Sequence, residues 1–301
     1  MKIKRLLSII TSVLVLTLIA AGCTKEQAPT GEPSGKQSLN FNYEKDVTVI
    51  ARDAASGTRG AFHEIMGIIQ KEGDTEVDKL VVGALEFDGT DKVITAVEGD
   101  KYGIGYISLG SVSERIKAVS IDGVEPTVEN VKSGEYSVAR PFLLVTKGTE
   151  SELVKDFLSF AQSKQGQEIT TEMKYIGAAE APGEYTASGM SGTIKVAGST
   201  SVTPLMEKLQ EAYTELNPDV TFEMQSNGSS QGIKATIDGS YDIGMSSREL
   251  KEEEASQLNR HILAIDGIAI IVNNENPTDN LASDVVTNIY TGEITGWSEV
   301  K

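Results

Sequence analysis

Three kinds of apolar spacing follow one another along the chain. Residues 6–21 form an apolar run broken only by Ser and Thr, behind a basic start of Lys2, Lys4 and Arg5. The run is short for a membrane span and gives way at once to polar sequence, which predicts an export signal over 1–22 rather than a spanning helix. Residues 24–40 carry Gly, Pro, Ser, Thr, Gln and Lys without a hydrophobic period, so 23–44 reads as a flexible tether. From residue 45 onward, β-branched runs alternate with stretches at helical spacing. Segments 47–51, 103–107, 142–146 and 194–197 predict buried strands, and 61–70, 151–163, 205–216 and 233–237 predict helices. That alternation predicts an α/β architecture with mainly parallel sheets, in which ligands sit beyond the carboxyl ends of strands.

Composition narrows the picture. The 301 residues are 39% apolar and 24% charged, the balance of a soluble globular body long enough for two lobes. The formal net charge is −17, and three of the 27 basic but none of the 44 acidic residues lie in 1–22, so the processed chain is more acidic still. That balance argues against a nucleic-acid partner gripped through its backbone. It leaves room for a local anion site, because backbone N–H groups at helix N-termini bind anions whatever the net charge. Cys23 is the only cysteine and follows Ala20, Ala21 and Gly22. The arrangement resembles a bacterial lipobox, whose cysteine is acylated and becomes the mature N-terminus; Ala20 departs from the usual Leu. An ordinary signal peptide before a coincidental cysteine is the alternative. With one Cys there is no intrachain disulfide, and stability rests on packing. His63 and His261 are the only histidines and sit in no metal-ligand or Ser-His-Asp pattern. No carboxylate dyad stands out either, so no enzyme and no cofactor is expected.

Three strand-to-helix turns share one chemistry. They are Arg52-Asp53-Ala54-Ala55-Ser56-Gly57-Thr58, then Gly198-Ser199-Thr200-Ser201-Val202-Thr203-Pro204, then Asn227-Gly228-Ser229-Ser230-Gln231-Gly232. Each offers hydroxyls, and glycines that let backbone N–H groups approach a ligand. Taken singly, each reads as an ordinary Ser/Thr helix cap. Together, and with Arg52 four residues before Ser56, they suit a tetrahedral oxyanion, which needs many donors in a small volume.

These turns, with 244–250, 264–277, 289–300 and the Gly-Thr-Ile-Lys-Val-Ala stretch at 192–197, resemble the phosphate-binding proteins of bacterial phosphate-specific ABC transporters. The resemblance covers nearly everything from Val47 to the end. It implies a type II periplasmic-binding-protein fold: two α/β lobes on a two-stranded hinge, closing over a dehydrated phosphate. Carried over by motif, Thr200, Ser201 and Ser229 match ligands of one lobe, and Arg52, Ser56, Gly57 and Thr58 those of the other. The segment order departs from the family, whose members begin near the equivalent of Gly192 and reach the Ser-Gly-Thr turn late. This chain therefore reads as a circular permutant, with old termini joined through 180–191 and new ends near Lys45 and Lys301. One lobe is then expected to be continuous over 143–265 and the other assembled from 45–142 and 266–301. The implied partners are inorganic phosphate, the permease of an ABC importer and, through Cys23, the membrane; the chain is expected to be monomeric. Receptors of this fold for sulfate or molybdate, or a phosphate-sensing or surface lipoprotein without a transport role, are the alternatives.

Several other positions have two readings. Family members commonly place an Asp, which accepts the phosphate proton, where this chain has Ser247; Asp266 is the nearest replacement carboxylate, or a turn-forming residue. A family acid that steadies the ligand Arg falls at Ala54, leaving Asp53 as substitute or as a solvated side chain. Arg59 and Arg248 add potential at the cleft or serve in salt bridges, and Tyr106 and Trp297 read as core or cleft wall.

Overall fold

Strands form where the β-branched residues cluster, and the edges of each element follow local chemistry. The computed structural model describes residues 41–73, 75–179 and 182–300. The export signal, Cys23 and most of the tether fall outside the described residues. Phe41, which composition assigns to the tether, packs its ring on Tyr102 and Trp297 at centroid distances of 5.1 and 5.7 Å, so the packed body already includes it.

The main sheet runs in the order Val220–Ser226, Gly192–Gly198, Ile243–Ser246, Ala139–Thr146, Asn259–Val272, Gly103–Ser108, Thr48–Arg52 and Leu85–Phe87. The three strands at each end pair in parallel. The expectation of mainly parallel sheets fails at the centre, where Ala139–Thr146 and Asn259–Val272 run antiparallel to each other and to their outer neighbours. The cause is that the chain traverses the middle twice in opposite directions. Asn259–Val272 pairs with Ala139–Thr146 along its first part and with Gly103–Ser108 along its last, from Ile268 to Val272.

Apolar side chains gather on either side of this central pair. Phe142, Phe157, Val196, Leu205 and Ile243 belong to one core cluster, and Phe62, Tyr106, Ile268, Tyr290 and Trp297 to another. Trp297 is buried in its cluster and donates Nε1–H to the Tyr102 carbonyl at 3.0 Å, which settles it as core rather than cleft wall. The two ends of the body lie side by side: Val47 N donates to Thr295 O at 2.7 Å and Trp297 N to Lys45 O at 3.0 Å.

The predicted helix over 61–70 is shifted. The helix is Gly57–Ile65, and Gly67, at φ +66°, stops it in a left-handed conformation that favours glycine. Ile69–Glu72 instead pairs antiparallel with Thr75–Asp78. The apolar spacing of Ile68 and Ile69 mimics another helical turn, but the glycine overrides it.

On the two central strands, Arg140 and Asp266 stand opposite each other in register. Arg140 Nη2 donates to Asp266 Oδ2 at 3.0 Å, and Ser108 Oγ to Oδ1 at 3.0 Å. Both side chains are almost wholly buried. Burial pushes the Asp266 carboxyl up to about 6, and the Arg140 guanidinium opposes that rise. Removing one member of such a pair strands the other in a poorly polarisable interior. Arg140→Met is therefore expected to cost about 3–5 kcal/mol in urea unfolding, with Arg140→Met/Asp266→Leu recovering much of it. A loss well under about 1 kcal/mol for the single variant would show that the central strands do not depend on the pair.

Candidate functional site

Each hydroxyl of interest stands where a strand hands over to a helix. Ser56 caps the helix Gly57–Ile65, its Oγ accepting from Arg59 N at 3.3 Å, and Thr58 lies in the first turn. Ser199, Thr200 and Ser201 join Gly192–Gly198 to the helix Thr203–Leu216, whose first turn contains Pro204, suited to a position with no N–H bond to lose. Ser229 begins the helix Ser229–Ile237 behind Gly228, which is at φ +98°. Ser247 follows the strand Ile243–Ser246.

A fourth turn, absent from the sequence expectations, belongs with them. Thr90 opens the helix Thr90–Gly99 after the strand Leu85–Phe87. Its signal was present as Asp88-Gly89-Thr90, the same order of strand, glycine, hydroxyl and helix seen in the other turns.

The hydroxyls meet. Thr58 Oγ1 lies 2.8 Å from Ser201 Oγ, and Ser199 Oγ donates to Ser247 Oγ at 2.8 Å. Ser247 Oγ is also 3.3 Å from Ser229 Oγ and 3.4 Å from Thr58 Oγ1, while Thr90 Oγ1 is 3.4 Å from Thr200 Oγ1. All but Thr200 are buried. Gly57 is required here: a Cβ would come within 2.2 Å of Ser229 Oγ and 2.9 Å of Ser247 Oγ. Ser230 N donates to Ala55 O at 3.1 Å, tying the first turn to the third. A cavity of about 400 Å³ opens onto Thr90 and Thr200, with Ser111, Thr203 and Ser226 on its wall.

Arg52, at the end of Thr48–Arg52, enters the same cluster with only 2% of its surface exposed. Its Nη2 donates to Thr200 Oγ1 at 2.8 Å and to Asp88 O at 3.3 Å, its Nη1 to Thr90 Oγ1 at 3.4 Å and its Nε to Phe87 O at 3.2 Å. Every one of these acceptors is neutral. Burial lowers the guanidinium's affinity for its proton, and Asp53 and Asp88 oppose this only through charge, without a hydrogen bond to it. Exposed Asp88 bonds Lys92 at 2.6 Å, and Asp53 is itself raised by burial. The arrangement thus sets a guanidinium, four helix N-termini and seven hydroxyls around one small volume, an excess of donors and positive potential.

The remaining expectations divide. Asp266 does not join the cluster, because both its carboxylate oxygens are engaged by Arg140 and Ser108. Ala54 is exposed and cannot steady Arg52. Arg248 forms a two-point pair with Glu254 at 2.8 Å, and Arg59 pairs with Asp78 and Glu86, so both arginines serve in salt bridges. Tyr106 is fully buried, and His261 Nε2 lies 2.7 Å from Glu150 Oε1. Among the described residues no group of three or more His, Cys, Asp or Glu side chains could hold a metal ion.

Known proteins resemble this chain. Residues 34–165 and 183–301 match the model of the PBP superfamily domain. The chain is 45% identical over 268 residues to the phosphate-binding protein PstS 2 of Streptococcus pneumoniae serotype 4, covering 89% of this chain and 91% of that one. It is 41% identical over 304 residues to PstS 2 of Streptococcus agalactiae serotype V, covering 100% of this chain and 99% of the relative. The crystal structure of a phosphate ABC transporter phosphate-binding protein from Streptococcus pneumoniae superposes with a TM-score of 0.70 at 45% identity, covering 85% of this chain and all of that one. The chain belongs to the phosphate-binding proteins of the PBP superfamily.

Proposed function

We propose that this protein captures inorganic phosphate outside the cytoplasm and delivers it to the permease of an ABC importer. One observation carries the reading: the Arg52 guanidinium is buried among neutral acceptors at a point where helix N-termini and hydroxyls converge. A buried cation without a counter-ion is costly, and a doubly charged oxyanion supplies one. In this reading Arg52 gives two parallel donors to phosphate oxygens, and Ser56, Gly57, Thr58, Thr200, Ser201 and Ser229 supply hydroxyl and backbone donors, with Thr90 added. Their present hydrogen bonds to one another exchange for bonds to the anion. Ser247 Oγ, which already accepts from Ser199 Oγ, accepts a further hydrogen bond from the protonated phosphate oxygen.

The two groups of apolar clusters support a division into lobes of 45–142 plus 266–301 and of 143–265, with the crossings at Arg140 and Asp266 as hinge. The adjacency of residues 45–47 and 295–297 is what a cut surface loop would leave, which favours the permuted reading. The end-to-end match to the streptococcal relative supports this order being natural. Lipid anchoring through Cys23 and a monomeric state complete the proposal. A sulfate receptor is the second reading, favoured by one fact: the hydroxyls meeting Ser247 bring no carboxylate with them, so little repels a fully ionised anion.

Calorimetric titration of the processed protein is expected to give phosphate binding, weakened by about tenfold or more in Arg52→Ala, since a charge-assisted bond contributes roughly 1.5–3 kcal/mol. Thr90→Val is expected to weaken it by about threefold to tenfold. Tighter binding of sulfate than of phosphate would favour the second reading, and unchanged affinity in a folded Arg52→Ala protein would remove Arg52 from the site. For the anchor, Cys23→Ala is expected to move the protein from the membrane fraction to the medium or supernatant, and equal membrane retention would refute acylation at Cys23.

A further inference from the structure

Arg52 is fixed from behind as well as at its tip. Its peptide N–H donates to Tyr106 Oη at 3.1 Å, and its carbonyl accepts from Arg59 Nη1 at 2.9 Å. Side chains therefore engage both polar groups of the residue that carries the guanidinium. Both holds reach Asp78, and Arg59 Nη1 is bonded to Glu86 as well. Arg59 Nε donates to Asp78 Oδ2 at 3.0 Å, and Nη2 lies 3.0 Å from the same oxygen as an ion pair. Tyr106 Oη lies 3.4 Å from His63 Nε2, and His63 Nδ1 lies 3.0 Å from each Asp78 oxygen.

One tautomer satisfies the whole path. His63 Nδ1–H donates to Asp78, His63 Nε2 accepts from the Tyr106 hydroxyl, and the Tyr106 oxygen accepts from Arg52 N–H. Burial keeps the imidazole neutral, its pKa lowered to about 4 against the pull of Asp78, and holds the Tyr106 phenol well above its ordinary value. Asp78 ends the short strand Thr75–Asp78 and is further fixed by Leu80 N, which donates to Oδ1 at 3.0 Å. None of Asp78, His63 and Arg59 bonds a hydroxyl of the cluster apart from the Ser56 cap beside Arg59.

We propose that Asp78 is a positioning residue for the bound anion: through Arg59 on one side and His63–Tyr106 on the other, it fixes the Arg52 peptide and so the direction of the guanidinium. A long side chain amplifies small rotations at its root, and sites of this kind need their donors placed within about 0.5 Å. The proposal rests on the phosphate-binding reading for its consequence but not for its geometry, and the test separates the two.

Phosphate titrations would compare wild type, Asp78→Asn and Tyr106→Phe, each with Arg52 intact and in an Arg52→Ala background. Hydrogen–deuterium exchange at the Arg52 amide would be followed in the same proteins without ligand. Asp78→Asn and Tyr106→Phe are each expected to weaken phosphate by about fivefold to tenfold with Arg52 present and by less than about twofold without it. Both are expected to speed exchange at the Arg52 amide. Equal losses in the two backgrounds, or an unchanged Arg52 amide in both variants, would overturn the proposal and leave a purely structural network. If wild type bound no phosphate, the functional reading would fail, and amide exchange alone would decide whether Asp78 fixes Arg52.

Discussion

The constraint on which the rest depends is the buried positive charge of Arg52. A guanidinium removed from water must be resolvated by the protein, and here carbonyls and hydroxyls do so without neutralising it. The surrounding helix N-termini add potential of the same sign. The chain as a whole is strongly acidic, with a formal net charge of −17, so this positive spot is local and built from backbone and a single side chain. Such a spot selects for charge and compactness in its ligand before any finer recognition begins.

Other features follow from bringing donors to that charge. Gly57 lets the first turn approach Ser229 and Ser247 closely enough for hydroxyls on distant segments to meet. The contacts Thr58–Ser201 and Arg52–Thr200 join parts of the chain that are more than 140 residues apart. Within the core the Arg140–Asp266 pair joins the two central strands at one register position. Hydroxyls both donate and accept, so in the proposed site Ser247 would serve a protonated phosphate oxygen but would discriminate less than a carboxylate against an anion without a proton.

Much of this was legible in the residues. The strands at 103–107 and 194–197 are short stretches rich in Ile, Val and Tyr, and the hydroxyl turns at Ser56, Thr200 and Ser229 announce themselves by composition. Thr90 was readable by the same rule, but one hydroxyl in an acidic stretch is a faint signal. Asp266 shows the opposite failure. Its position near the expected hinge was legible, but its partner was not, because Arg140 lies 126 residues away and only the strand register brings them together. The helix over 61–70 failed because apolar spacing continues past Gly67 while the backbone does not. His63 looked inert in a sequence with two histidines, and its link to Arg52 exists only through Tyr106 and Asp78.

The most direct test of the central claim is a crystal structure of the protein saturated with phosphate. The anion is expected within hydrogen-bonding distance of the Arg52 guanidinium and of the Thr58, Ser201 and Ser229 hydroxyls, with the present bond between Thr58 and Ser201 broken in its favour. Phosphate bound elsewhere, with Thr58 and Ser201 still bonded to each other and Arg52 still facing only neutral acceptors, would contradict it.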